Sequence, residues 1–232
     1  MKGNSRDGFE KFYDAEGDDV AFLGMSPEEY EKVHEKRFND TVKLFRLDEI
    51  KNKSICDLGC GPGGILNMCD NSNKKVGMDG YDFNDKNLKG YLELPFDFYQ
   101  ADFDYDRFSN KTDIKFDALM SFETLEHLCN PYNFFFESKK MLLKGGIFYL
   151  TFPQIDMQHN TFYPSLMYHK PSFDEFLGQM AFGILHHSRM NTRYGGLNCY
   201  ILKNLHWDNV KMKFVKTYEK FKGQPPHIQI NL

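Results

Sequence analysis

Residues 54–64 read SICDLGCGPGG. A short apolar run, Ser54–Leu58, leads directly into glycines at positions 59, 61, 63 and 64. Because glycine has no Cβ, the chain can turn sharply at such positions and bring its backbone close to a ligand. The stretch therefore predicts a core strand, a ligand-binding loop and the start of a helix, and it places the loop in an α/β fold.

The acidic residue before the loop narrows the type of ligand. Nicotinamide and flavin dehydrogenases also use glycine-rich loops, which bind a pyrophosphate through backbone N–H groups at a helix N-terminus. A carboxylate beside those phosphates would repel them, and Asp57 places one at the strand end. Asp57 therefore disfavours a dehydrogenase and favours a ligand with an amino group and a sulfonium.

The segments around the loop alternate between strand and helix patterns. Ser26-Pro27-Glu28-Glu29 is a capping box, followed by apolar residues at helical spacing, and it predicts a helix that ends near Leu47. Asn130-Pro131 begins another helix, which we expect to run through Leu143 and to end at Gly145-Gly146. Strands two to five are predicted at Lys75–Asp79, Phe98–Ala101, Phe116–Ser121 and Ile147–Phe152. This alternation predicts a parallel sheet with helices on both faces.

The C-terminal part continues the pattern less regularly. We predict a helix over Pro171–Phe182, a sixth strand over Ile184–Met190 and a closing hairpin that pairs Asn198–Leu202 with Lys211–Val215. The predicted fold class is α/β, with a doubly wound, mostly parallel, seven-stranded sheet.

Bulk composition restricts the class of protein. A chain of 232 residues is long enough for one α/β domain, here 26–232, preceded by a polar arm or lid over residues 1–25. The formal net charge of −4 disfavours nucleic acid as a partner. Five scattered cysteines without a CxxC pair indicate free thiols in a reducing compartment. With no apolar signal segment or membrane-spanning run, we expect a cytoplasmic protein without membrane insertion.

The glycine loop resembles the first motif of the class I, Rossmann-like, S-adenosylmethionine (SAM)-dependent methyltransferases. That motif is an acidic residue followed by GxGxG, and Asp57, Gly59, Gly61 and Gly63 match it. The resemblance implies that SAM is the cofactor and that this loop, including Cys60, packs against its methionine part.

Later motifs follow in the order that the family uses. An acid at the end of the second strand holds the ribose hydroxyls in the family, and Asp79 matches it, with Asp82 as the competing choice. After the third strand, the resemblance implies that Asp102 accepts from the adenine amine and that Phe103 borders the base. Phe122, directly after the fourth strand, completes the cofactor contacts implied by the resemblance.

Residues 122–128, FETLEHL, carry the groups that could act on the acceptor. If they are helical, Glu123, Glu126 and His127 share a face and could bind a divalent cation or act as acid and base. The segment resembles two metal-assisted groups of O-methyltransferases, those of ubiquinone biosynthesis and those that methylate the 2′-hydroxyl of small-RNA 3′ ends. In the second group a further histidine completes the site, and His169 matches it. The resemblance implies Mg²⁺ or another divalent cation at these four residues. In many members without a metal, however, such an EH pair only orders the loop.

The predicted reaction is O-methylation of a small molecule or sugar, such as a glycan precursor. The fourth strand is followed by SFET, residues 121–124, where N-methylating members carry NPPY or DPPY. A hydroxyl acceptor must lose a proton, and His127 or His169 could serve as the base. We place the cofactor half at about 50–152 and a substrate loop at about 153–170. The alternatives are an RNA 2′-O-methyltransferase that uses a divalent metal, and a cofactor-binding pseudoenzyme.

Overall fold

Seven strands and four α-helices make up the part of the chain that the structure describes. The computed structural model describes residues 27–69, 72, 74–82, 93–154, 169–192 and 195–205. The helices are α1 (Pro27–Phe45), α2 (Gly64–Asn67), α3 (Pro131–Met141) and α4 (Lys170–Gln179). The strands are β1 (Ser54–Leu58), β2 (Lys74–Asp79), β3 (Asp97–Gln100), β4 (Phe116–Phe122), β5 (Leu142–Pro153), β6 (Phe182–Thr192) and β7 (Gly195–Asn204). None of these helices is long and apolar enough to cross a membrane.

The strands form one sheet in the order β3-β2-β1-β4-β5-β7-β6. Strands β1 to β5 are parallel, whereas β7 runs antiparallel to both β5 and β6. The predicted mostly parallel, seven-stranded α/β sheet is confirmed. Because the first five strands are parallel, their carboxyl ends lie at one edge, where open α/β sheets bind ligands.

Each face of the sheet is covered by its own apolar cluster. On one face, α1 packs through Phe38, Val42 and Phe45 against residues of β1 and β4, including Ile55 and Met120. On the other face, α3 and α4 pack their phenylalanines against β5 and β7; this cluster includes Phe134, Phe135, Phe148, Phe152, Phe173, Phe176 and Tyr200. Several rings within it meet edge to face, as Phe152 and Phe173 do with ring centroids 4.9 Å apart. Many of the aromatic side chains are thus buried in the core.

The boundary between α3 and β5 differs from the prediction. Asn130 caps α3 as expected, since its side chain accepts a hydrogen bond from the N–H of Asn133. The helix ends at Met141, however, because Leu142 is already extended, with φ −79° and ψ 138°. Leu142 pairs with Phe116 of β4 and Ile147 pairs with Ala118, so the residues between them form a bulge. Gly145, with φ 79°, therefore shapes a bulge in β5 and does not stop a helix.

The C-terminal hairpin also differs from the prediction. Strand β7 pairs with β5 on one side and with β6 on the other, so both of its edges are occupied. The hairpin partner of Asn198–Leu202 is β6, and the predicted pairing with Lys211–Val215 is wrong. Residues 211–215 themselves lie outside the described part of the chain.

Candidate functional site

The glycine loop after β1 is hydrogen-bonded to the end of β2. Gly59, Gly61 and Gly63 have φ values of 84°, 52° and 89°, a conformation that residues with a Cβ rarely adopt. The N–H groups of Gly59 and Cys60 both donate to the carbonyl of Met78 in β2, at 2.8 and 3.1 Å. The loop is thereby fixed to the end of the neighbouring strand.

The space that a side chain would take at two of these glycines is filled by other residues. A Cβ on Gly59 would lie 2.0 Å from the Thr124 hydroxyl, and one on Gly63 would lie 2.4 Å from the Phe96 ring. The hydroxyls of Ser121 and Thr124 both donate to the carbonyl of Leu58, at 2.8 and 3.2 Å. The segment after β4 is therefore in direct contact with the glycine loop, and the glycines serve the packing of the protein as well as any ligand.

Asp79, the last residue of β2, connects its strand to the loop. Its side chain accepts from the N–H of Gly61 at 2.9 Å and from that of Tyr81 at 3.0 Å. Burial raises its pKa, while these backbone hydrogen bonds lower it. A carboxylate offers about four acceptor sites, so two donors leave capacity for hydroxyl groups of a ligand.

Asp57 is buried, and no described residue donates a hydrogen bond to its Oδ1 to compensate its charge. The residue is 3% exposed. Burial, and to a smaller extent the nearby Asp79 carboxylate, raise the pKa of Asp57 to about 7. Two buried carboxylates beside one loop create a negative potential, which a cationic ligand group would relieve.

The segment predicted to contact adenine is folded onto itself. Oδ1 of Asp102 accepts from the N–H groups of Asp104 and Tyr105, at 2.9 and 3.2 Å. The Phe103 ring is 3% exposed and packs edge to face on Phe108 and Phe134. A contact between that ring and a base is therefore disfavoured, and the contact of adenine with the Phe103 backbone and with Asp102 stays a prediction.

Cys60 and Phe122 complete the predicted cofactor contacts. The Cys60 thiol donates to the carbonyl of Gly61 at 3.2 Å, and burial raises its pKa well above the ordinary value. Phe122 is partly buried and stacks on Phe45 of α1 with ring centroids 5.6 Å apart. Through this stack α1 reaches the edge at which the parallel strands end.

The segment after β4 is not an α-helix. Glu123 has φ 55°, a left-handed conformation, and only Leu125–His127 form a single 3-10 turn. The three acidic and histidine side chains therefore do not share a helical face. Glu123 instead pairs with Arg37 of α1, with Nη1 and Oε2 2.9 Å apart.

The four residues predicted as metal ligands do not form one group. Glu126 is 2% exposed, His127 is half-buried in the turn, and His169 is exposed before α4, with its Nδ1 2.8 Å from the Ser172 hydroxyl. Across the described residues, no three side chains of His, Cys, Asp and Glu are close enough together to hold a metal ion. The predicted metal site at Glu123, Glu126, His127 and His169 is therefore not supported by the geometry.

Sequence reasoning missed three residues of this region: Arg37, Phe96 and Thr124. Each acts through a partner distant in sequence, as Arg37 does on a residue 86 positions away. A polar side chain on an amphipathic helix ordinarily faces solvent, so Arg37 gave no local signal.

The residues present fit SAM. Oδ1 of Asp57, which has no partner among the described residues, suits the amino group of SAM. The remaining acceptor capacity of Asp79 suits the ribose hydroxyls, and the glycine loop lies between the two carboxylates. These features are at the carboxyl ends of β1 and β2, the edge expected for a nucleoside ligand.

Comparison with known proteins gives one family and one fold. Residues 30–194 match the profile of a family described as a methyltransferase domain. No curated protein matches the chain.

Three solved structures illustrate the shared fold. A candidate methyltransferase from Haloferax volcanii, in complex with the Trm112 methyltransferase activator, has a TM-score of 0.58 at 16% identity, covering 80% of this chain and 98% of that one. A SAM-dependent methyltransferase from Clostridium acetobutylicum has a TM-score of 0.55 at 13% identity, covering 77% and 97%. Magnesium protoporphyrin IX methyltransferase from Synechocystis, with bound SAM, has a TM-score of 0.52 at 15% identity, covering 84% and 90%.

Proposed function

The chain belongs to the family of class I SAM-dependent methyltransferases, and we propose that it methylates a hydroxyl group of a small molecule or a sugar. The observation that carries this proposal is the turn after β4. The turn touches the glycine loop through Thr124, and it carries two proton-accepting side chains, Glu123 directly before Thr124 and His127 three residues after it. Ser121 and Thr124 direct their hydroxyls to Leu58, and the sequence SFET differs from the N-methylation signature.

The residues around the glycine loop would hold the cofactor. When bound, SAM supplies a methyl group that its sulfonium already activates. Asp57 would pair with the amino group, and the loop with Gly59, Cys60, Gly61 and Gly63 would border the methionine part. A positive ligand group would also relieve the repulsion between the two buried carboxylates.

The remaining cofactor contacts are assigned along the same edge. Asp79 would accept from the ribose hydroxyls, Asp102 and the backbone of Phe103 would contact adenine, and Phe122 would border the cofactor on the side of α1. Asp79 already fixes the loop through Gly61, so ribose and loop would be positioned by one side chain.

Catalysis then requires alignment of the acceptor and removal of its proton. Because the methyl donor is already activated, the protein contributes mainly orientation and exclusion of water. His127, in the turn after β4, or His169, before α4, would take the proton from the acceptor hydroxyl. Residues 1–25 and about 153–170 would cover the acceptor, and most of these lie outside the described part of the chain.

Cofactor binding is tested by calorimetry with S-adenosylhomocysteine (SAH), NAD and NADP. We expect SAH alone to bind. Binding of NAD in its place would contradict the assignment of the loop and of Asp57.

Turnover is tested by SAH release on panels of neutral glycosides, other metabolites and RNA. For the responsive acceptor, we expect replacement of the catalytic histidine, His127→Ala or His169→Ala, to lower kcat by about 10²- to 10⁴-fold while SAH still binds. His186→Ala, on an exposed position of β6, is the control. We expect EDTA to leave the rate unchanged; loss of activity restored by Mg²⁺ would show that a metal takes part. Turnover of RNA alone would overturn the proposal in favour of the RNA 2′-O-methyltransferase. SAH binding without turnover on any panel would favour the pseudoenzyme.

A further inference from the structure

A row of small polar side chains crosses three strands on the face of the sheet that α1 covers. Thr151 of β5 lies opposite Cys199 of β7, and Cys199 lies opposite Ser188 of β6. Direct neighbours in adjacent strands project to the same face, so the three side chains form a continuous row.

The hydroxyls at both ends of this row have no hydrogen-bond partner in the described part of the chain. Thr151 is 1% exposed, and neither its Oγ1 nor the Oγ of Ser188, both buried, bonds to any of the residues described. Buried polar groups in folded proteins are almost always hydrogen-bonded, so two unbonded hydroxyls in one row indicate that a partner is missing. A bound ligand can supply that partner.

Glu123 continues the row towards the cofactor loop. Its N–H donates to the carbonyl of Thr151 at 3.1 Å. Burial raises the pKa of Cys199 to about 11; the Glu123 carboxylate adds to this rise, and a backbone hydrogen bond with Met190 opposes it. The Glu123 side chain is 24% exposed, so the end of the row at Glu123 contacts solvent.

Arg37 fixes Glu123 and balances its charge. The guanidinium contacts one carboxylate oxygen, Oε2, at 2.9 Å and leaves acceptor capacity on the other. Because the pair carries no net charge, it does not favour a cationic acceptor over a neutral one. It still accepts hydrogen bonds from hydroxyl groups.

We infer that Glu123, Thr151 and Ser188 bind the hydroxyl groups of a neutral, polyhydroxylated acceptor, and that Arg37 is the positioning residue for Glu123. A sugar fits this chemistry, because each of its hydroxyls both donates and accepts, as the carboxylate and the two protein hydroxyls require. The inference rests on the proposed function, and it adds the class of acceptor and the residues that select it. Since Thr124 beside Glu123 touches Gly59, a sugar held here lies next to the cofactor loop.

The test measures SAH release on neutral glycosides, sugar phosphates, amines and carboxylic acids. We expect turnover of a neutral glycoside. Thr151→Val keeps the shape and removes the hydroxyl, and it should lower kcat/KM for that glycoside about three- to tenfold. Glu123→Gln should lower it more, and Arg37→Lys should lower kcat/KM to an intermediate degree. The Kd for SAH should stay within about twofold of the wild type in all three variants.

Two controls separate this role from general loss of structure. Ser138→Ala removes another buried hydroxyl without a described partner, in α3 beneath the opposite face. Lys36→Met removes an exposed charge from α1 whose partner in the described part of the chain is Asp40, one helical turn away. Both controls should keep the wild-type kcat/KM and the wild-type Kd for SAH.

The outcomes separate the inference from the proposed function. If a neutral glycoside is turned over and all three variants retain its full kcat/KM, the acceptor subsite is refuted while hydroxyl methylation stands. If only amines are turned over, or no acceptor on the panel, the proposed function fails and the subsite fails with it. If a sugar phosphate or a hydroxylated carboxylic acid is strongly preferred, hydroxyl methylation stands and the neutral character of the subsite is refuted.

Discussion

The glycine loop and the turn after β4 share a rare backbone conformation but use opposite residue types. In the loop, three glycines adopt positive φ values between 52° and 89°. In the turn, Glu123 adopts φ 55° and keeps its side chain. The left-handed region costs a residue with a Cβ roughly 1–2 kcal/mol. The two regions touch, since Thr124 fills the space beside Gly59.

The difference in residue type separates two kinds of position at positive φ: at the loop glycines the backbone is the functional part, and at Glu123 it is the side chain. At Gly59 a Cβ would collide with the protein, so only glycine fits. At Glu123 a carboxylate that pairs with Arg37 is retained despite the strain. Positive φ alone does not mark a site, because Arg46, Asn52 and Ala181 share it. What distinguishes Glu123 is the combination of strain, the ion pair with α1 and the position beside Thr151.

The largest effect is expected where the backbone itself is the functional element. Gly59→Ala places a Cβ 2.0 Å from the Thr124 hydroxyl at φ 84°. We expect the unfolding free energy to fall by about 2–4 kcal/mol through strain and overpacking. A displaced loop should also weaken SAH binding about 100-fold or more. Urea unfolding and calorimetry measure the two effects.

Gly178→Ala is the matched control for this substitution. Gly178 lies in α4 with no atom within 4 Å of the position of an added Cβ. Alanine is the better helix former there, so we expect stability to rise by about 0.5–1 kcal/mol, with SAH binding unchanged. A Gly59→Ala variant as stable as this control would mean that Thr124 yields easily and that the contact does not constrain the loop.

A smaller effect is expected at Asp57. It tests whether binding of SAH beside the glycine loop depends on the charge of this carboxylate. The folded pKa of about 7 lies above the unfolded value of about 3.9. The stabilisation from protonating Asp57 is therefore complete below about pH 4 and is lost as pH rises through 7. A cationic ligand prefers the carboxylate, so SAH should bind about tenfold more tightly at pH 8 than at pH 6.

Calorimetry in two buffers that differ in ionisation enthalpy detects the proton released on binding at pH 6. Asp57→Asn should bind SAH more weakly, with the pH dependence and the proton release both lost. If the variant keeps the wild-type pH dependence, another group titrates and Asp57 does not contact the amino group.

The sequence predicted the parts of the fold that depend on neighbours along the chain. The strand-loop-helix around Asp57, the helix over 27–45 and the cap at Asn130 follow from glycine, proline and capping residues within a few positions. The end of α3 was predicted too late, because the bulge that starts β5 at Leu142 is set by pairing with β4. The hairpin partner of β7 was wrong for the same reason, since strand pairing is not local.

The candidate site also has parts that local sequence predicted and parts that depend on contacts between distant elements. The position of Asp79 at the end of the second strand followed from the local pattern, whereas its hydrogen bond to Gly61 was not predicted and its contact with ribose stays a prediction. The predicted shared helical face of Glu123, Glu126 and His127 is absent from the structure, because Glu123 is left-handed and changes the direction of the chain. Arg37 and Thr151 were not recognised, as their significance depends on contacts between separate elements.

The smallest change in stability is expected for Glu123→Gly, which converts the turn to the residue type of the loop. Glycine relieves roughly 1–2 kcal/mol of backbone strain but adds about 0.5–1 kcal/mol of chain entropy. It also removes a partly buried ion pair worth at most about 1 kcal/mol. These contributions nearly cancel, so the unfolding free energy should stay within about 1 kcal/mol of the wild type. Turnover should nevertheless fall, since the carboxylate is gone.

Arg46→Gly is the matched control, at φ 54° and with an exposed described partner in Glu49. It should match Glu123→Gly in stability and keep full turnover. Loss of more than 2 kcal/mol in Glu123→Gly alone would make Glu123 a structural residue, and unchanged turnover would remove its side chain from the acceptor site.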